Sequence, residues 1–379
     1  MPPLRIALVR QRYTPFGGAE RFVSRAMEAL RRQGAEITLI TRRWEPDGNM
    51  QALTCDPFYL GNLWRDWSFA RCVKRMLTRH DFDLVQSHER IAGCDIYRAG
   101  DGVHREWLAQ RRRVLSPLGQ LGLRLNPYHR YVMAAEKTLF TSRGLRAVIC
   151  NSRMVAAEIR HWFGLPAEKL HVIYSGVDTE AFHPRLKDMH RQSLRSRYGI
   201  PGSVPLFLFV GAGFQRKGLS TLLEALAAGP QEAHLLVVGK DKRARCFQSH
   251  ARKLGLNGRV HFAGPQSDVK PFYGAADAFV LPTLYDPFPN VALEAMASGL
   301  PLVTSTKSGA AEFVRAGENG FVCDALDREG LAEALNALAN PDTCAKLGET
   351  ARKTVEPLTL DSMGSQLIDL YGHLLAPPV

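Results

Sequence analysis

Asp286 and Glu294 stand eight positions apart in the stretch TLYDPFPNVALEAMASGLPLVTS, residues 283–305. An apolar strand pattern leads to the first carboxylate, a helical pattern carries the second, and Pro287 and Pro289 lie between them. The prolines hold the loop extended and disfavour helix before Asn290. A helix is therefore predicted to begin near Asn290–Val291, with VALEAMASG supplying good helix formers and then a glycine stop. Glu294 falls in or near its first turn, and Asp286 in the loop ahead of it. Loop N–H groups and a helix N-terminus point into one space. A sugar nucleotide could fill that space, giving ribose hydroxyls to one carboxylate and sugar hydroxyls to the other. Taken singly, each acid reads better as an ordinary turn or surface residue; taken with the surrounding string, it does not.

A second loop carries the opposite charge. In FVGAGFQRKGLSTLLEAL (209–226), Arg216, Lys217 and Gly218 stand immediately before a helical pattern. Two cations beside a helix N-terminus run against the dipole, which favours acids there. A bound anion would supply the missing charge, and a diphosphate fits, with arginine gripping two oxygens and lysine acting as a point charge. The alternative is a solvated basic turn. A third loop, RQRYTPFGGAER (10–21), places Gly17 and Gly18 between a strand and a helix. Paired glycines there allow close backbone approach to an anion, or simply a tight turn. The sequence lacks G-x-x-x-x-G-K-[ST] and this loop is not G-x-G-x-x-G, which disfavours P-loop nucleotidases and nicotinamide or flavin enzymes.

Strands and helices in alternation must hold these loops. RIALVR (5–10), EITLITR (36–42), FDLVQSH (82–88), AVICNS (147–152) and KLHVIYSGVD (169–178) form one series of short apolar runs. After a polar, basic stretch at 183–205 come LFLFVG (206–211), HLLVVGK (234–240), RVHFAG (259–264), AFVLPT (278–283), LPLVTS (300–305) and GFVCD (320–324). Helical patterns separate them, so both halves read as α/β, Rossmann-like doubly wound domains with buried parallel strands. The boundary is expected near 175–177. Ligands of such sheets bind beyond the carboxyl ends of the strands, where the three loops lie.

Composition bounds the partners. The chain has 379 residues, 45% hydrophobic and 23% charged, with a formal charge of +12. That excess favours an anionic partner. Part of it is clustered between 104 and 144, where Arg111, Arg112, Arg113, Arg124, Arg130 and Arg143 mix with Trp107, Leu115, Leu121, Leu123, Tyr128 and Tyr131. A basic, aromatic, leucine-bearing surface suits an anionic bilayer face. Nucleic acid is the rival, but no nucleic-acid motif accompanies the charge. The seven cysteines are scattered without a C-x-x-C pair, so reduced thiols in a cytosol are expected. No signal-peptide pattern and no run of about 18 apolar residues is present, so neither secretion nor a membrane span is expected.

DPFPNVALEAMASGLPLVTS resembles the E-x7-E signature of family-4 retaining glycosyltransferases, which have the GT-B fold. Asp286 stands where that family carries its first glutamate, and Pro289 where it carries a glycine; Glu294 matches the second glutamate, which in the family binds the donor ribose. GGAERFV is similar to the family's N-terminal loop, RKG to its diphosphate clamp, and SGVDTEAFHP (175–184) to its interdomain hinge. Ala212 stands near the place of the usual arginine after the strand glycine. The resemblance implies an N-terminal acceptor domain over 1–175 completed by a final helix at 359–376, a nucleotide-sugar domain over 176–358, and a cleft between them. A narrower likeness is to bacterial glucosyltransferases of lipopolysaccharide core assembly. YTPFGGAER and GAGFQRKG carry it, as does GCDIYRAGDGVHREW (93–107), which is similar to a segment holding a functional aspartate, here Asp101, with His104 close by.

The resemblance implies a retaining, metal-independent hexosyl transfer from a UDP-sugar, UDP-glucose first, to the heptose region of a lipid-linked core oligosaccharide. Gly17, Gly18, Arg216, Lys217, Phe288, Asn290, Val291 and Glu294 would hold the donor. Lys217 and Asp286 would act at the reacting centre, with Asp101 or His104 placing the acceptor or the developing charge. Arg111, Arg112, Arg113, Arg124 and Arg130 would dock the protein on the anionic inner face of the cytoplasmic membrane. No cofactor, metal or nucleic acid is expected. The other readings are transfer to another surface glycan, a sugar-nucleotide epimerase, and a membrane-surface protein that binds a nucleotide sugar without turning it over.

Overall fold

The structure is a computed structural model that describes residues 4–13, 27, 30–31, 34–44 and 51–376. The chain divides into two compact units, Met1–Gly176 with Leu360–Val379, and Val177–Thr359.

The first unit is built on β1 (Arg5–Val9), β3 (Glu36–Thr41), β5 (Gln51–Thr54), β6 (Leu84–Ser87), β7 (Ile96–Ala99), β8 (Ala147–Cys150) and β9 (Leu170–Val172). They form one sheet in the order β5-β3-β1-β6-β7-β8-β9, every pair parallel. β2 (Arg12–Tyr13) and β4 (Arg43–Trp44) make a separate short ladder. Alternate side chains feed two cores, as a two-sided sheet requires. Ile6, Leu8, Ile37, Leu39, Leu84, Ile96 and Ile149 pack one face; Ala7, Val9, Ile40, Val85, Tyr97 and Val148 pack the other. The last helix, Leu360–Leu375, sets Met363, Leu367, Leu370 and Tyr371 into the first of these cores. The Tyr371 hydroxyl donates to Gln86 Oε1 at 2.7 Å.

Two strands of this sheet escape the sequence pattern. β7 carries Arg98 in the middle of IYRA, so it does not read as an apolar run, although Arg98 is buried. β5 is an edge strand, half-exposed and only four residues long. β9 is shorter than 169–178 because its partner β8 ends at Cys150, opposite Val172. The expectation of uniformly reduced thiols is also corrected: Cys55, just past β5, is joined to Cys72 on helix Gly61–Leu77, with Cα atoms 6.1 Å apart. The pairing links residues 17 apart, on separate elements that the sheet brings together, so the Cys spacing alone does not betray it. The remaining five cysteines are free thiols.

The second unit holds β10 (Leu206–Val210), β11 (His234–Val238), β12 (Val260–Gly264), β13 (Ala278–Leu281), β14 (Leu302–Ser305) and β15 (Gly320–Cys323), again all parallel, in the order β12-β11-β10-β13-β14-β15. β10 and β13 are buried at every position, which is why they read as unbroken apolar runs. The basic stretch before β10 contains helix Leu186–Arg197, tied to the sheet by ion pairs from Arg191 and Arg195 to Asp277, at 2.7 and 2.6 Å. Strand order reverses between β10 and β13, so the loops following these two strands flank the switch point where a doubly wound sheet leaves room for a ligand.

Candidate active site

The β10 and β13 loops are stitched together by the backbone. The Arg216 carbonyl accepts from Leu284 N at 2.8 Å and from Thr283 Oγ1 at 3.1 Å. Gly218, at φ 79°, opens helix Leu219–Ala228, and a Cβ there would lie 1.9 Å from the Pro282 carbonyl oxygen. Only glycine permits both that backbone conformation and that approach.

The stitching brings Asp286 onto the two cations. Lys217 Nζ donates to Asp286 Oδ2, and Arg216 Nη1 lies 3.5 Å from the same oxygen while donating to the Tyr285 carbonyl at 3.2 Å. Lys217 and Asp286 are both 7% exposed. Burial pulls the lysine pKa down, and the Asp286 charge opposes it. One sequence expectation is corrected here: the negative charge that the helix N-terminus calls for comes first from within the chain, from the carboxylate against which Lys217 is buried. Two cations to one carboxylate still leave the cluster positive, so it remains attractive to an anion.

The loop beyond Asp286 continues the arrangement. Asp286 N donates to the Lys307 carbonyl at 3.0 Å and Gly309 N to the Asp286 carbonyl at 2.9 Å, tying in the loop after β14. Ser308, in that loop, has a buried hydroxyl with no hydrogen-bond partner among the described residues. Sequence reading missed Ser308; its position three residues past a strand is the signal that could have found it. Phe288 is buried edge-on against Phe313. Helix Asn290–Ala297 begins where the prolines predict. Glu294 is its fifth residue, in the second turn; it is 4% exposed, and its Oε2 accepts from the Tyr273 hydroxyl at 3.0 Å. The Val291 carbonyl lies 3.2 Å from the same hydroxyl. Arg216, Lys217 and Asp286 are thus in mutual contact, with Phe288, Asn290, Val291 and Glu294 on the same loop and helix.

The first unit gathers a separate cluster past β6 and β7. Asp101 is exposed, with Oδ2 3.6 Å from Arg90 Nη1. Arg90 Nε donates to Glu136 Oε1 at 2.8 Å, and the same oxygen accepts from His104 N at 2.9 Å. The His104 ring shares a hydrogen bond with His129, Nε2 to Nδ1, at 3.0 Å. Asp101 and His104 therefore sit around one Arg90–Glu136 pair, which the sequence reading missed. Arg90 closely follows a strand and was discoverable on that ground; Glu136 lies inside helix Pro127–Phe140 with no local mark. Gly17 and Gly18 lie outside the described residues.

Burial and the neighbouring Arg90 charge push the His104 imidazole down to about 3. It is neutral at pH 7, and the unfolded chain binds the extra proton between about pH 6.5 and 3. Stability from this group is present above pH 6.5 and is lost as pH falls through that window. His104→Gln is expected to make the loss between pH 8 and pH 5 smaller by roughly 1–2 kcal/mol after solvent screening, read from paired urea melts.

The arginine-rich segment folds as three successive helices, His104–Arg112, Pro117–Leu125 and Pro127–Phe140. Arg112, Arg113, Arg124 and Arg130 are exposed; Arg111 is half-buried, 6.0 Å over the Trp107 ring. Helix Pro117–Leu125, capped by Ser116, turns Leu118, Leu121 and Leu125 to solvent at 83, 52 and 67% exposure, while Leu123 is buried. No helix among the described residues is long and apolar enough to cross a membrane.

Two parallel doubly wound domains, with a cationic pair at the switch point of the second, are the GT-B arrangement of glycosyltransferases. Residues 190–354 match the family model for glycosyl transferases group 1 and residues 16–181 that for glycosyltransferase family 4, most of the chain between them. The chain belongs to these glycosyltransferases. It is 27% identical over 374 residues to the lipopolysaccharide glucosyltransferase WaaG of Escherichia coli (strain K12), covering 96% of this chain and 98% of that one. It is 29% identical over 369 residues to the lipopolysaccharide core biosynthesis glycosyltransferase LpsE of Rhizobium meliloti (strain 1021), covering 95 and 96%. The crystal structure of WaaG, described as a glycosyltransferase involved in lipopolysaccharide biosynthesis, superposes with a TM-score of 0.81 at 26% identity, covering 96 and 99%.

Proposed function

We propose that the protein transfers a hexose, glucose first among the candidates, from a UDP-sugar to the heptose region of a lipopolysaccharide core, with retention of configuration. The observation that carries this reading is the contact of Arg216 and Lys217 with Asp286 at the β10/β13 switch point. The two cations neutralise the leaving diphosphate, so the departing charge is met by side chains and no metal is invoked. Asp286 orients the lysine and the donor sugar. Glu294 receives the ribose, and the backbone around Phe288, Asn290 and Val291 borders the nucleotide. Asp101 and His104, steadied by Arg90 and Glu136, place the acceptor; a neutral imidazole can accept a proton from an acceptor hydroxyl. The relation to WaaG and LpsE supports the lipopolysaccharide core as the acceptor class.

The work site in this reading is the inner face of the cytoplasmic membrane. The outward leucines of helix Pro117–Leu125 and the surrounding arginines support it, since apolar side chains enter the interface while cations meet anionic headgroups. Replacing Arg111, Arg112 and Arg113 together with glutamine is expected to weaken binding to phosphatidylglycerol vesicles, by roughly 1 kcal/mol per charge at low salt and less at high salt. Co-sedimentation of the triple variant equal to the parent's would remove these residues from the docking surface.

Nucleotide release across a panel of UDP- and GDP-sugars, with and without a heptose-bearing core acceptor, tests the activity itself. Acceptor-dependent UDP release from UDP-glucose is the expected result. Tight binding of a nucleotide sugar without release of nucleotide would favour a non-catalytic binding protein instead.

A further inference from the structure

Helices Gly61–Leu77 and Pro127–Phe140 of the first unit border a cavity of about 350 Å³ that shares Arg90 with the cluster described above. Its walls include Trp67, Arg71, Lys74, Arg90, Tyr131 and Thr138. Arg71 and Lys74 are exposed, one turn apart, and have no carboxylate partner among the described residues. Like charges at that spacing repel and destabilise a helix slightly. The Arg71 guanidinium lies 5.7 Å from the Trp67 ring, which orients it without neutralising it. Arg90 is a third cation in the wall, fixed in place by Glu136. Tyr131 and Trp67 add aromatic surface, and Thr138 a hydroxyl.

Three cations, two aromatic rings and a hydroxyl around one concavity form a receptor for an anionic carbohydrate. Fixed and mobile cations grip a phosphate or carboxylate, and the rings offer flat apolar surface to the C–H face of a sugar. The volume lies near the lower end for small-molecule sites, roughly 300–1,000 Å³, which suits one charged monosaccharide unit. Arg90 also pairs with Asp101 at 3.6 Å, so the cavity shares a wall residue with the acceptor-placing cluster. We infer that this cavity is an acceptor subsite that recognises a phosphorylated or carboxylated sugar, a reading that rests on the glycosyl transfer proposed above. A phospholipid headgroup offers the same phosphate chemistry; the aromatic walls favour the sugar.

The test titrates the full-length protein calorimetrically with mannose 6-phosphate and with mannose, and compares the Arg71→Gln/Lys74→Gln double variant and the charge-keeping Arg71→Lys/Lys74→Arg variant, each checked for an unchanged circular-dichroism melt. Mannose 6-phosphate is expected to bind at least tenfold more tightly than mannose. The glutamine variant should lose at least tenfold and the charge-keeping variant less. Equal binding of the two sugars, or an unaffected glutamine variant, overturns the subsite. So does a loss of phosphatidylglycerol vesicle binding by the glutamine variant with sugar-phosphate binding intact, which assigns the cations to lipid. A separate arm measures transfer to a core acceptor. Transfer by the parent with an unchanged acceptor KM in the glutamine variant sinks the subsite and leaves the enzyme reading standing. Charge-dependent sugar-phosphate binding without any transfer does the reverse.

Discussion

Lys217→Ala is expected to lower the rate of sugar transfer by roughly 10²–10³ and to lower thermal stability as well. On the proposed assignment, the rate loss follows from removing a preorganised cation from beside the departing diphosphate, a loss of the size seen when one such donor is deleted. The stability loss follows from the structure. Lys217 is buried against Asp286, and its truncation would leave that carboxylate buried with only the 3.5 Å contact to Arg216. Breaking a buried pair from one side costs about 3–5 kcal/mol, an upper bound here because Arg216 remains. Steady-state UDP release measured well below the melting temperature separates the two effects. Normal turnover by a folded Lys217→Ala protein would remove the lysine from the leaving-group site. Double substitution of Lys217 and Asp286 with methionine and asparagine should recover much of the stability and none of the rate.

Gly218→Ala is the second large effect, and it acts through the backbone. An alanine at φ 79° suffers a penalty of roughly 1–2 kcal/mol for the left-handed conformation. Its Cβ would also fall 1.9 Å from the Pro282 carbonyl oxygen, a clash with main chain that only movement of the β13 loop relieves. That loop leads to Asp286. A stability loss above about 3 kcal/mol, together with reduced transfer, is therefore expected. Gly199→Ala is the control: its φ is 64°, with nothing within 4 Å of an added Cβ, so it isolates the conformational penalty. Urea melts showing the two variants equally destabilised would mean that the close approach of the loops contributes nothing.

The fold was legible where burial is uniform. β10, β13 and β14 are buried on both faces, and their apolar runs announce them. It was illegible where a polar side chain is buried inside a strand, as Arg98 is in β7, and where pairing is short and at an edge, as in β5. Arg216, Lys217, Asp286 and Glu294 were found because each lies in or after a post-strand loop, with charges or prolines out of keeping with a plain turn. Their relation to one another was not legible. Lys217 and Asp286 are 69 residues apart, and the chemistry of the lysine depends on a partner that no local pattern couples to it. Glu136 shows the same limit: a buried carboxylate in a helix that organises Arg90 and His104 from 46 and 32 residues away.

The path of the chain has a consequence for how this molecule can be cut and recombined. Val177 N donates to the Leu358 carbonyl at 2.8 Å, so the outgoing and returning crossings run side by side before Leu360 begins the final helix. The second unit is a continuous segment, whereas the first depends on its own last sixteen-residue helix to seal one face of its sheet. A single crossover between relatives would therefore graft a foreign plug onto the first unit. An inserted cassette with two junctions, near 177 and 359, keeps every element with the core it evolved against.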